Sequence, residues 1–170
     1  PMPPGCGTRW PGWVFSQMGQ SLCLKKKTAP AGSGSMDLTE ERIDMIAFSE
    51  LLKEQKPFLG TFVQSAAPEF VEASAYAGFR FAAIDLEHSY YGAEKMAELV
   101  RAGEAAGLSV LARVPALDAV WIKKSLDLGA AGVIVPNIDT AEQAAEAVRL
   151  SKFTPEGTRG ACPGVRANRY

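Results

Sequence analysis

Beyond residue 57 the chain alternates between short apolar runs and longer segments whose apolar residues recur at helical spacing. Phe58–Val63, Arg80–Leu86, Ser109–Val114 and Ala131–Val135 are short and mostly apolar, as strands buried on both faces require. The intervening segments read as helices. Pro68 opens one with Phe70, Ala73, Ser74 and Ala77 on a single face, and Gly78 closes it. A longer one, about residues 91–106, carries Met96, Leu99, Val100 and Gly103 and is stopped by Gly107. The next places Ile122, Ser125, Leu126 and Gly129 inward. Thr140 with Gln143 forms a capping box for the last, striped by Ala141, Ala144, Ala145 and Val148. Ahead of the first strand, Asp37 and Glu40 start a helix with Ile43, Ile46, Ala47 and Leu51 as its apolar stripe, ended by Lys56-Pro57. The tail from Phe153 to Tyr170 is a Gly/Pro/Arg-rich loop.

Four β-α units at a repeat of about 25 residues predict an α/β fold with a parallel sheet and right-handed crossovers. An open doubly wound sheet and a (β/α)8 TIM barrel both fit the local pattern. No Gly-x-Gly-x-x-Gly follows the first strand, which argues against a dinucleotide fold and for the barrel. Such a barrel usually takes ~250 residues. Residues 36–170 therefore read as its N-terminal half, about the first four β-α units, in a truncated chain or in one whose sheet edges another chain must close. Residues 1–35 differ in kind. Pro1–Pro4, Gly5, Gly7 and Gly32–Ser35, interrupted by Trp10, Trp13 and Lys25–Lys27, read as a disordered or non-native extension before Met36.

Composition narrows the partners. The chain has 170 residues, 47% hydrophobic and 22% charged, which suits one globular domain. Lys and Arg number 18 against 19 acids, so no field of one sign suggests nucleic acid or an anionic membrane. No apolar run approaches the ~20 residues of a membrane span. Cys6, Cys23 and Cys162 are odd in number and share no metal-like spacing, which points to a reduced, cytoplasmic setting.

The strand over 80–86 ends in Asp85, Glu87 and His88, the chain's single histidine. On the barrel reading, one rim collects Gln64, Asp85, Glu87, His88, Arg113 and Asn137, polar residues that packing explains poorly. From position alone His88 is as well read as a structural histidine as a catalytic one. Asp85, three residues earlier, is placed to fix its tautomer and raise its basicity. Arg113 suits a small carboxylate or enolate; an ion pair with Asp85 or Glu87 is its alternative. None of the four strands carries the inward-facing lysine that a Schiff-base aldolase needs. Lys123 and Lys124 read as solvated helix surface, and Cys162 has no second histidine to activate it.

Taken in order, these stretches resemble the HpcH/HpaI aldolase family, the metal-dependent pyruvate aldolases of the phosphoenolpyruvate-binding barrel superfamily. The matching pieces are Gly78-Phe79, Ile84-Asp-Leu-Glu-His88, Ala112-Arg-Val-Pro115, Leu126-Asp-Leu-Gly-Ala130 and Gly132-Val-Ile-Val-Pro136. Glu142-Gln-Ala144, Pro155-Glu-Gly-Thr-Arg-Gly160 and Arg166-Ala167 continue the match. The resemblance implies a barrel that assembles as a homo-oligomer, often a hexamer, and interconverts 4-hydroxy-2-oxo acids with pyruvate and an aldehyde. It implies a divalent metal, Mg2+, Mn2+ or Co2+, that stabilises a pyruvate enolate. By the same resemblance His88 is the catalytic base, Asp85 its partner, Arg113 the contact to the 2-oxo acid, and Glu87 the residue that orients metal-bound water. Asp127 corresponds to an aspartate that reaches a neighbouring subunit's site. The family's metal ligands, a Glu and an Asp, are expected beyond Tyr170. Two other readings stay open: an acyl-CoA lyase of the citryl- or malyl-CoA type, and an inactive half-barrel or interaction module.

Overall fold

A computed structural model of the chain describes residues 47–54 and 56–170, together with the backbone of two short strands at 17–18 and 21–25. The elements in chain order are β1 (Gln17–Met18), β2 (Ser21–Lys25), α1 (Phe48–Leu51), β3 (Gly60–Val63) and α2 (Pro68–Tyr76). They continue with β4 (Phe81–Asp85), α3 (Ala93–Ala105), β5 (Ser109–Arg113), α4 (Ala119–Asp127), β6 (Gly132–Pro136) and α5 (Ala141–Ser151), then a 3-10 turn at Arg166–Asn168. One six-stranded sheet runs in the order β1-β2-β6-β5-β4-β3. The strands β3 to β6 are mutually parallel and lie side by side in chain order, each joined to the next by a helix. That is the predicted set of four β-α units.

Part of the N-terminal segment set apart in the sequence does join the sheet. β2 pairs antiparallel with β6, from Ser21 opposite Pro136 to Lys25 opposite Gly132, and β1 pairs with β2. The rest of residues 1–46, including Ile43 and Ile46 of the first expected helical stripe, lies outside the described residues.

Side chains alternate across the sheet with the period of two that strands impose. Val63, Ala82, Ile84, Val110 and Ala112 point to the helical layer, where they pack with Val71, Met96, Leu99 and Val100. Val133 and Val135 do the same against Ile122, Leu126 and Ala147. The alternate positions, Phe81, Ala83, Leu111 and Ile134, face the other way and are closed by Phe48 and Leu51 of α1. Asp85 and Arg113 continue this second, inner face, two residues beyond Ala83 and Leu111.

Helix phase is where pattern and structure part. For α3 and α4 the expected stripes are the buried ones. In α2, however, Val71 and Ser74 are buried while Phe70 stands exposed, and in α5 the buried residues are Ala147 and Ser151 rather than Ala141 and Ala145. In alanine-rich α5 two stripes of nearly equal hydrophobicity compete, and in both helices contacts with the sheet select the phase. The Thr140–Gln143 capping box forms as expected.

The inner face is built by fitting large residues against small ones. Gly60 pairs with Phe81, and a Cβ on Gly60 would lie 2.0 Å from that ring. The ring cannot withdraw, because Phe48 and Phe58 meet it edge-on at 5.2 and 6.0 Å between centroids. Gly60→Ala should therefore lower unfolding stability by about 1–3 kcal/mol in urea titrations. Phe81→Leu in the same chain should recover part of that loss, since it removes the atoms the new methyl would strike.

Candidate active site

Parallel pairing sets Asp85, the last residue of β4, directly beside Arg113, the last residue of β5. Their side chains share the inner face and join in a two-point ion pair: Arg113 Nε donates to Asp85 Oδ1 at 3.0 Å and Nη2 to Oδ2 at 2.6 Å. Asp85 is fully buried. Three more donors complete its shell. Gln64 Nε2, just past β3, reaches Oδ2 at 2.8 Å, and the backbone amides of Glu87 and His88 reach Oδ1 at 3.0 and 3.2 Å. Burial pushes the Asp85 carboxyl pKa up, but the hydrogen bonds from Arg113, Gln64 and the His88 amide outweigh it and hold the pKa at about 2. The same bond from Asp85 raises the Arg113 pKa against the cost of its own burial.

This arrangement corrects the expected role of Asp85. No hydrogen bond joins its carboxylate to the His88 imidazole among the described residues; it grips the His88 backbone instead. A buried carboxylate next to a guanidinium spends its lone pairs on that cation and on nearby amides. The imidazole meets the carboxylate of Glu87 instead, with Oε1 3.8 Å from His88 Nε2, while Glu87 Oε2 lies 3.4 Å from Arg113 Nε. The imidazole itself is 62% exposed and open to a ligand. The loop that carries it is strapped back to β3 by Tyr91, whose hydroxyl donates to the Val63 carbonyl at 2.8 Å. Neither Tyr91 nor the bond from Gln64 to Asp85 was foreseen, since both contacts bridge more than twenty residues of sequence.

Asn137 sits past β6 at φ 55° and makes no hydrogen bond to this cluster. Asp127 lies elsewhere. It ends α4, the helix that runs from the Arg113 edge of the sheet back to the start of β6, so it belongs to the opposite rim. There it accepts a hydrogen bond from buried Arg159, whose guanidinium also stacks 4.6 Å from the Phe153 ring. Arg166 holds the tail to the same rim through the Leu128 carbonyl and Glu104. The Gly/Pro/Arg-rich segment is therefore an anchored one.

A divalent cation needs several hard oxygen or nitrogen ligands at one point. Among the described residues no three His, Cys, Asp or Glu side chains come together to hold a metal. Asp85 has both oxygens committed to Arg113. These residues do not by themselves fit the metal that the resemblance implies. No helix among them is long and apolar enough to cross a membrane.

Comparison with known proteins decides the family. The model of the HpcH/HpaI aldolase/citrate lyase family matches residues 59–168. The chain belongs to this family. It is 40% identical over 120 residues to a 2-dehydro-3,6-dideoxy-6-sulfogluconate aldolase of Pseudomonas putida, covering 71% of this chain and 47% of that protein. It is 38% identical over 125 residues to a 4-hydroxy-2-oxovalerate aldolase of Novosphingobium aromaticivorans, covering 73% and 47%. Among solved structures, an HpcH/HpaI aldolase/citrate lyase family protein from Burkholderia cenocepacia superposes with a TM-score of 0.67 at 34% identity, covering 72% and 50%. Citrate synthase SbnG superposes with a TM-score of 0.66 at the same identity and coverage. The chain spans about half the length of the curated relatives it matches, and its four β-α units are a part of the family's barrel.

The depressed Asp85 pKa makes stability depend on pH. A carboxylate at 3.8 when unfolded and about 2 when folded contributes stability that is complete above pH ~4 and lost as pH falls toward 2. Denaturation between pH 5 and 2 should show a loss of about 2 kcal/mol from this group, absent in Asp85→Asn.

Proposed function

We propose that this chain carries the base and the anion-binding arginine of an aldolase that interconverts 4-hydroxy-2-oxo acids with pyruvate and an aldehyde. One observation carries the reading: Arg113 is held along its Nε/Nη2 edge by Asp85, while its Nη1/Nη2 edge has no partner among the described residues. A guanidinium held this way offers a two-point fork to one small carboxylate. His88 stands exposed at the same rim, in a loop whose backbone the same Asp85 fixes. In the cleavage direction His88 takes the C4 hydroxyl proton, the C3–C4 electron pair passes to the 2-oxo acid as an enolate, the aldehyde departs, and return of a proton to C3 gives pyruvate and frees His88. Arg113 binds the carboxylate and offsets the charge that develops.

The names of the relatives support this class. A sulfogluconate-derived substrate, 4-hydroxy-2-oxovalerate and 5-keto-4-deoxy-D-glucarate differ at the aldehyde end. A shared 2-oxo acid half with a variable aldehyde is what a fixed arginine and an open imidazole would serve. Asp127, at the other rim, is assigned to a neighbouring subunit's site in a homo-oligomer, with Glu87 ordering solvent beside His88. A divalent metal is expected of the whole protein, where it would stabilise the enolate. The likeness to citrate synthase SbnG favours a second reading, carbon–carbon chemistry on citrate-type acids or their CoA thioesters.

The protein bearing this chain, given Mn2+ or Mg2+, should exchange the C3 protons of pyruvate in D2O, followed by NMR. His88→Ala should slow that exchange by about 10²-fold or more, and Arg113→Ala should raise the pyruvate concentration it needs. Exchange indifferent to His88 would overturn the assignment of the base. No exchange, together with turnover of citryl- or malyl-CoA, would establish the second reading instead.

A further inference from the structure

On the inner face of the sheet the Phe62 ring lies against Arg113, with the guanidinium carbon 4.7 Å from the ring centroid. The contact crosses an entire strand. Phe62 pairs with Ala83 on β4, and the Asp85–Arg113 pair lies two positions further along. The residue between the ring and Arg113 on β4, at the Phe62 level, is Ala83, whose side chain is small. Asp85 holds the guanidinium by Nε and Nη2, along one edge only. Two bonds on one edge leave tilting about that edge free, and an aromatic ring on one face removes that freedom. Phe62 is also 40% exposed, a large apolar side chain kept at an otherwise polar rim.

We propose that Phe62 is a positioning residue, whose ring fixes the guanidinium plane of Arg113 so that the Nη1/Nη2 edge faces a ligand carboxylate. This rests on the reading of Arg113 as the anion-binding group and deepens it by naming what aims it. Phe62 touches no reacting atom and acts through Arg113 alone. Its place two residues before Gln64 puts it on the inner face of β3, where the strand's alternation directs it toward the site.

The test reads Arg113 itself, in 1H–15N spectra of arginine Nε–H groups, with Arg113→Lys identifying the signal by its loss. Ring current from Phe62 should hold this proton upfield and stacking should slow its exchange with water. Phe62→Leu should move the signal downfield and speed exchange roughly two- to five-fold, the factor corresponding to a partly exposed cation–π contact. Phe62→Trp should instead move the signal further upfield and keep its exchange slow. An unchanged shift and exchange rate in Phe62→Leu would overturn the proposal. Should Phe62→Leu fail to fold, judged from its amide signals, Phe62→Trp decides alone: its larger ring must shift the Arg113 signal further upfield, and no movement overturns the idea. No substrate enters this measurement, so a negative result bears on Phe62, whereas absent pyruvate exchange bears on the aldolase reading.

Discussion

Removing a carboxylate from water costs several kcal/mol even after the protein relaxes around it. Asp85 is wholly buried at the end of a central strand, so the structure around it must return that energy. It does so with one guanidinium and three further N–H donors, drawn from the ends of β3 and β5 and from the loop after β4. Three β-α units are thereby tied at one rim. The Glu87-His88 loop inherits its backbone geometry from that tie, while the imidazole stays free of it. A single buried charge thus sets where the exposed imidazole stands.

The register of the sheet makes this possible. A slip of one residue in β4 or β5 would send Asp85 or Arg113 into the apolar helical layer beside Ile84 and Ala112. The inner face is specified by size as well: Gly60 admits the Phe81 ring, and Phe62 lies against the Arg113 guanidinium. Fold and site therefore draw on the same alternation of large and small residues. At the β6 edge, pairing with β2 covers hydrogen-bonding groups that a bare edge strand would leave open.

Strands, helix order and the polar rim were legible because each has a local signature. Apolar runs end in prolines or charges, and left-handed glycines such as Gly78 and Gly107 punctuate the helices. The helical phase of α2 and α5 was not legible, because contacts with the sheet select it; in alanine-rich α5 the competing stripes differ too little in hydrophobicity to choose between them. Partnerships were harder still. For Arg113 the sequence offers either a substrate contact or an ion pair; the structure shows the ion pair with Asp85, made along one edge of the guanidinium. Arg159 looked like loop composition; it is a buried cation shared by Asp127 and Phe153. Contacts that span 28 or 32 residues leave no periodic trace in sequence.

Charge arithmetic at the rim bears on what a working site requires. Asp85 and Glu87 carry two formal negative charges and Arg113 one positive, so the group sums to −1 while His88 is neutral. Asp85 neutralises most of the arginine's charge even as it orients the fork. On the proposed reading, a 2-oxo acid docked on Arg113 would gain directional hydrogen bonds there but little net attraction, and its enolate would add a second negative charge. In a partly buried site that imbalance is costly, because screening by water is weak. The rim as built supplies a held guanidinium and an exposed imidazole, and the proposed enolate chemistry would demand further positive charge from a group outside this cluster.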